Sequence, residues 1–438
     1  MNYYSTRDLK KTNPVSFSDA VVKGLADDGG LFMPESIPTL PTSFFENIES
    51  FSNEEIALKV AQSFIGDEIP TEDLKKIVNE TINFLLPLKK VEDSIYCLEL
   101  FHGPTLAFKD VGARFMARVM SYFIKKENKK VKVIVATSGD TGSAVAAGFY
   151  QVQDLEVYII YPTGKVSPLQ EKQLTTWGNN IHAIELDGTF DDCQKLAKQL
   201  LADKQLANEQ LITSANSINI ARLIPQSFYY FFSYAALKKL KLPIIISVPS
   251  GNFGNLTAGL LAKKMGLPIA HFIASTNAND VFPNYLNSGV YQSKASVATI
   301  SNAMDVGNPS NFERMSYLFQ EDLSNFKKEI SSYSFTDAET ETTVKQVYNN
   351  HHYLIDPHGA VAYLGLKKYL DNESSKYVGV FLETAHPAKF KEVMNTILKE
   401  EIELPERLAA YADKEKKSKL CINNYQDIKQ LILEKWSD

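Results

Sequence analysis

"VKVIVATSGDTGSAVAAGFYQ", residues 131–151, carries the pattern that decides the fold. Val131–Ala136 is an apolar, β-branched run of strand length. A loop of Thr, Ser, Gly and Asp follows, and then a small-apolar stretch, "SAVAAGFYQ" (143–151), reads as a helix. The unit recurs: "LEVYIIYP" (155–162) precedes "SPLQEKQLTTWG" (167–178), and "IHAIEL" (181–186) precedes "DDCQKLAKQLLAD" (191–203). "PIIISVP" (243–249) precedes "NLTAGLLAKKMG" (255–266), and "IAHFIAST" (269–276) follows. Strands alternating with helices predict an α/β fold with open, mostly parallel sheets. Such sheets bind ligands at the carboxyl ends of their strands, often at a helix N-terminus.

The 438 residues exceed the ~250–300 at which a single core stops growing, so at least two lobes are expected. Residues 1–88 predict a mainly helical N-terminal domain. "SFSDAVVKGL" (16–25) has a serine start, "LFMP" (31–34) is a short extended piece, and "NEEIALKVAQSFIG" (53–66) is an amphipathic helix closed by glycine. Residues 89–400 form the α/β region and 401–438 a C-terminal extension. Within the extension "YADKEKKSKL" (411–420) reads as a solvated charge run and "DIKQLILEKW" (427–436) as a short helix.

Apolar residues make up 44% and charged residues 22%, and the net charge is −6. That balance fits a soluble globular protein and argues against a general nucleic-acid binder. Cys97, Cys193 and Cys421 lie far apart, with no CxxC pair, so they read as buried thiols in a reducing compartment. "MNYYSTRDLKKTN" (1–13) has no apolar h-region, and no run approaches the ~20 apolar residues of a membrane span. A cytoplasmic location is expected.

Two strand-to-helix loops are built for anions. "TSGDTGSA" (137–144) offers hydroxyls from Ser138, Thr141 and Ser143 and glycines that turn N–H groups inward; plain helix capping is the alternative. "SGNFGN" (250–255) places Gly251 and Gly254 around Asn252 and Phe253. It lacks the Gly-Lys-Ser/Thr of a Walker loop and the spacing of GxGxxG, which leaves a non-nucleotide phosphate. Upstream, "HGPTLAFKD" (102–110) sets Lys109 behind an apolar patch, as a helix-start charge or as an amine held out of water. Two anion loops and such a lysine together point to pyridoxal 5'-phosphate, which needs an amine for its Schiff base and a cradle for its phosphate.

Read in order, "LELFHGPTLAFKDVGARFMA" (98–117), "ATSGDTGSAVA" (136–146), "YPTGKVSPLQEKQ" (161–173), "SANSINIARL" (214–223), "VPSGNFGNLTAGLLAK" (248–263), "SNAMDVGNPSN" (301–311) and "ETAHPAKF" (383–390) resemble the threonine synthases of the longer bacterial and fungal type. "GLADDGGLFMPE" (24–35) resembles that family's N-terminal domain, and the likeness runs from about residue 2 to about 410. The resemblance implies a two-lobed fold like the tryptophan synthase β-subunit. It also implies conversion of O-phospho-L-homoserine and water to L-threonine and phosphate.

Carried over by motif, Lys109 would bear the cofactor as a Schiff base. Gly251, Asn252, Phe253 and Gly254 would hold its phosphate, and Thr384 would hydrogen-bond its ring nitrogen. Ser138 and Thr141 would take the substrate carboxylate. Asp140 is expected to turn away, because a carboxylate would repel that anion. Arg222 and Lys165, with Ser217 and Asn219 behind them, are candidates for the substrate phosphate. His102 and His386 fall near the motifs and fit backbone-bonding roles equally well. His351, His352 and His358, in "HHYLIDPH", lack the spacing of a metal site, and no metal is expected. Within the same group of enzymes, a phospho-lyase or a serine or threonine dehydratase is the nearest rival. A non-catalytic ligand-binding relative is a rival of another class.

Overall fold

The computed structural model describes residues 1–127, 130–209, 211–434 and 436. Its strands are β1 (Tyr3–Ser5), β2 (Phe32–Pro34), β3 (Leu88–Glu92), β4 (Ile95–Glu99), β5 (Val131–Ala136), β6 (Leu155–Pro162), β7 (Ile181–Asp187), β8 (Leu211–Ser214), β9 (Ile244–Pro249), β10 (Ile269–Thr276), β11 (Ile330–Ser334), β12 (Val378–Glu383) and β13 (Ser418–Ile422). β1 and β2 pair as a small antiparallel ribbon. The other strands make two open sheets, in the orders β11-β10-β9-β12-β4-β3 and β13-β7-β6-β5-β8. Every pairing in these two sheets is parallel except β3 with β4. The α/β, mostly parallel expectation therefore holds.

The chain enters the larger sheet through β3 and β4, leaves it to build β5–β8, and returns to complete it. The helix Lys109–Glu127 is the first crossing, so its start lies between the sheets. Central strands such as β9 and β12 are buried at every position, as parallel strands covered on both faces must be.

The N-terminal helices follow their sequence signals. Ser16 caps Phe17–Lys23 in a capping box with Asp19, and Ser52 caps Asn53–Ile65 in one with Glu55. Their apolar faces do not form a separate core. Phe17 meets Phe123 edge-on at 6.1 Å, and Phe45 stacks on Phe231 at 6.4 Å. One apolar cluster runs from Tyr3 and Phe64 through Met116 and Val133 to Phe231 and Leu382.

The charge run at 411–420 differs from expectation. Ser418–Ile422 is an edge strand paired with β7, and Lys416 bridges Glu171 (2.7 Å) and Glu185 (2.6 Å). Lysine-rich edges of this kind block pairing with other chains while one face still packs, here through Cys421. Cys97, Cys193 and Cys421 are free and buried. Among the described residues no helix is long and apolar enough to cross a membrane.

Candidate active site

A cavity opens where β5, β8, β9 and β12 end. Ala136, Ser214 and Pro249 line it from three of these strands, and Thr384, the residue after β12, lines it from the fourth. Lys109 lies on its wall, at the first residue of its helix. The approach to that helix is zippered to the end of β12: Phe108 N–H donates to the Thr384 carbonyl (2.8 Å), and Ala107 bridges Ala385. Asp110 folds the preceding turn. Its carboxylate accepts from Thr105 N–H (2.9 Å) and from Thr105 Oγ1 (2.6 Å). Asp110 is thus a buried turn-former as well as a first-turn helix charge. Leu106 takes a left-handed backbone (φ +55°), a conformation held only by its surroundings.

The Lys109 residue is partly accessible because it faces the cavity, yet protein atoms desolvate its amine. Burial draws its pKa down to about 8. Asp140 opposes that shift, and Lys389 and Arg222 reinforce it. The nitrogen stands 5.4 Å from the Phe108 ring centroid.

Both anion loops reach the same cavity. Ser138, Asp140 and Thr141 line it beside the start of the helix Asp140–Phe149. Gly251, Asn252, Phe253 and Gly254 line it beside the start of Gly254–Lys264. Two helix N-termini therefore favour negative charge there. A Cβ on Gly251 would come within 2.7 Å of the Met304 backbone, and Phe253 is left-handed at φ +58°. Asn252 fixes the loop through Ser217 Oγ (3.0 Å) and Ser310 N–H (2.6 Å), and Asn311 donates to both Ser217 Oγ and the Asn252 carbonyl.

Arg222 is buried in the cavity wall, and among the described residues no carboxylate is ion-paired to it. One Nη donates to the Ala215 carbonyl (2.5 Å), and Nε has no partner. Burial lowers its pKa to about 10, against Tyr229 and Asp110. An anion in the cavity would complete its hydrogen bonding.

Some expected residues lie elsewhere. Lys165 is exposed and does not line the cavity. Asn219 does not line it either. Asn219 is buried, caps Ile220–Leu223 through Ala221 N–H, and donates to the Val21 and Ser214 carbonyls. His102 bonds Glu99 (2.8 Å), and His386 accepts from Ala388 N–H in its own turn, so neither reaches the cavity. His352 ends a helix, while His351 faces Glu92 at 3.9 Å.

Two further side chains at the site, His358 and Lys389, are given no role in cofactor or substrate binding by the sequence. His358 lines the cavity, with Nδ1 on Asp356 (2.8 Å) and Nε2 accepting from Ala303 N–H (3.2 Å). Lys389 holds Asp140 at 2.6 Å, and Gln170 donates to the same carboxylate oxygen (2.8 Å). Burial alone would raise the Asp140 carboxyl; Lys389, Lys109 and Gln170 outweigh it and hold the group well below the carboxylate range. Lys389 carries the signature that marked Lys109: in "HPAKF", as in "LAFKD", a lysine sits among apolar residues.

These residues fit pyridoxal phosphate: an amine with a lowered pKa, a glycine cradle that a Cβ would fill, and a buried guanidinium whose Nε has no partner. Family models agree. Residues 81–383 match that of pyridoxal-phosphate dependent enzymes, 2–82 that of the threonine synthase N terminus, and 359–432 that of the threonine synthase C-terminal region. The chain belongs to the threonine synthase family. It is 47% identical to threonine synthase from Haemophilus influenzae over 412 residues, 93% of this chain and 94% of that one. The crystal structure of threonine synthase from Escherichia coli superposes with a TM-score of 0.93 at 43% identity, covering 99% of both chains. The pyridoxal-phosphate-bound threonine synthase from Brucella melitensis gives 0.91 at 34%, covering 99% of this chain and 98% of that one. As in the family, the protein is a pyridoxal-phosphate-dependent lyase. The threonine synthase C-terminal match reaches residue 432, past the 410 at which the motif likeness ends.

Proposed function

We propose that this threonine synthase family member converts O-phospho-L-homoserine and water to L-threonine and phosphate, with Lys109 as its proton-moving amine. The observation that carries the reading is the desolvated Lys109 amine, set in one cavity with two helix-borne anion loops and Arg222, whose Nε has no partner. Such a cavity suits a substrate with an anion at each end.

When bound, pyridoxal phosphate supplies an electron sink conjugated to the substrate's α carbon. Gly251 to Gly254 would hold its phosphate through backbone N–H groups, and the Thr384 hydroxyl would meet its ring nitrogen. A hydroxyl there does not force that nitrogen to be protonated, which suits chemistry at the β and γ carbons. Ser138 and Thr141 orient the substrate by its carboxylate, and Arg222 receives its phosphate, with Ser217 beside it. Lys109 Nζ would take the α proton, pass it on to the conjugated cofactor and, neutral again, take a β proton; its lowered pKa keeps a useful fraction neutral for this. Loss of the β proton expels the phosphate from the γ carbon toward Arg222; Lys109 gives that proton to the γ carbon, and water supplies a hydroxyl to the β carbon and a proton to the phosphate before the α proton is returned.

Product analysis tests the reading. Incubation with O-phospho-L-homoserine should release phosphate and L-threonine in equal amounts. Phosphate without threonine would make the protein a phospho-lyase instead.

A further inference from the structure

We propose that Lys389 is a positioning residue for the anion loop. It clamps Asp140 across the two lobes and cancels its charge, so that residues 137–142 stay receptive to the substrate's carboxylate. The inference rests on the function proposed above, which makes this loop the carboxylate site.

Asp140 opens a helix that follows β5 of the smaller sheet, whereas Lys389 lies in the turn after β12 of the larger one. Their side chains are 3% and 0% exposed and meet at 2.6 Å. Lys389 Nζ also donates to the carbonyl of Thr105 (2.9 Å), in the turn that leads to Lys109. Gln173 Nε2 donates to the same carbonyl (3.2 Å), and Ser167 Oγ donates to the Lys389 carbonyl (3.2 Å). One ammonium thus joins the turn before Lys109, the anion loop and the turn after Thr384.

A carboxylate inside an anion loop is a liability unless its charge is cancelled. The neighbouring charged groups are Lys109 and Arg222, both cavity-facing, and Asp110, which is spent on Thr105. Removing Lys389 alone leaves a buried negative charge where the substrate's carboxylate must bind. Removing Asp140 alone leaves a positive group, which does not repel that anion. Replacing both by neutral side chains leaves no net charge, the usual way a buried pair is removed at little cost.

The asymmetry defines the test. Lys389→Met should raise KM for O-phospho-L-homoserine by roughly tenfold or more, and Asp140→Asn should raise it severalfold less than Lys389→Met does. The double variant Lys389→Met/Asp140→Asn should have a KM severalfold below that of Lys389→Met, at the level of Asp140→Asn. Amide exchange across residues 137–149, read without substrate, should speed up in Lys389→Met and recover in the double variant.

A double variant no better than Lys389→Met, or unchanged exchange in Lys389→Met, overturns the proposal. If Lys389→Met does not fold, Asp140→Asn still decides: a KM rise of roughly tenfold would contradict charge cancellation. Wild-type turnover tests the proposed function separately, so the two failures are distinguishable.

Discussion

A lysine in water is protonated up to pH 10 and is a poor nucleophile at neutrality. Burial at the cavity wall brings Lys109 to about 8, and Lys389 and Arg222 push the same way while Asp140 resists. The sign fixes an experiment. Lowering the folded-state pKa makes the neutral amine available from pH 8 upward rather than from above pH 10. Pyridoxal phosphate should therefore bind the apoprotein at a rate that climbs about tenfold per pH unit below pH 8 and levels off above it. A rate still climbing steeply between pH 9 and 10 would mean that the amine is solvated. The spacing in "HGPTLAFKD" alone leaves Lys109 as a helix-start charge or a nucleophile. Burial chooses between them, and burial depends on β12 and on the wall formed by Arg222, neither of which is near Lys109 in sequence.

At the scale of elements, strand-loop-helix units were the legible part. β5, β6, β7, β9 and β10 are dominated by β-branched and other apolar residues, as parallel strands covered on both faces are, with Lys132, Glu156, Glu185 and His271 among the interruptions. β13 hid because an edge strand tolerates lysines, and β11, "ISSYS", because an edge strand need not be apolar. The phosphate loop, by contrast, announces itself through its glycines, and their roles differ. A Cβ at Gly251 would meet the Met304 backbone at 2.7 Å, whereas at Gly254 the nearest atom is Ser217 Cβ at 3.1 Å. Gly251→Ala should therefore weaken pyridoxal phosphate binding by roughly tenfold or more, and Gly254→Ala by clearly less, measured as dissociation constants by fluorescence titration. Equal effects would show that backbone approach at Gly251 is not what shapes the cradle.

Over the whole molecule, what the sequence could not reveal is convergence. Arg314 shows the reason. Its buried guanidinium donates to the carbonyls of Phe32, Ser217 and Ile218 and to Asn311 Oδ1, joining the N-terminal ribbon to the cavity wall. No local pattern marks such a residue, because its partners are set by tertiary packing. His358 is legible in sequence only as a rejected metal ligand, and Lys389 goes unmarked for the same cause, although its apolar flanks are visible. The fold also selects one amine from among many. Lys389 is buried too, but its nitrogen is committed to Asp140 and Thr105, whereas Lys109 faces the cavity. That selection is the central claim, and borohydride reduction of the holoenzyme followed by peptide mapping tests it most directly. The reduced cofactor should be found on Lys109, and Lys109→Ala should carry none. A pyridoxyl group on Lys389 or on any other lysine would contradict the account.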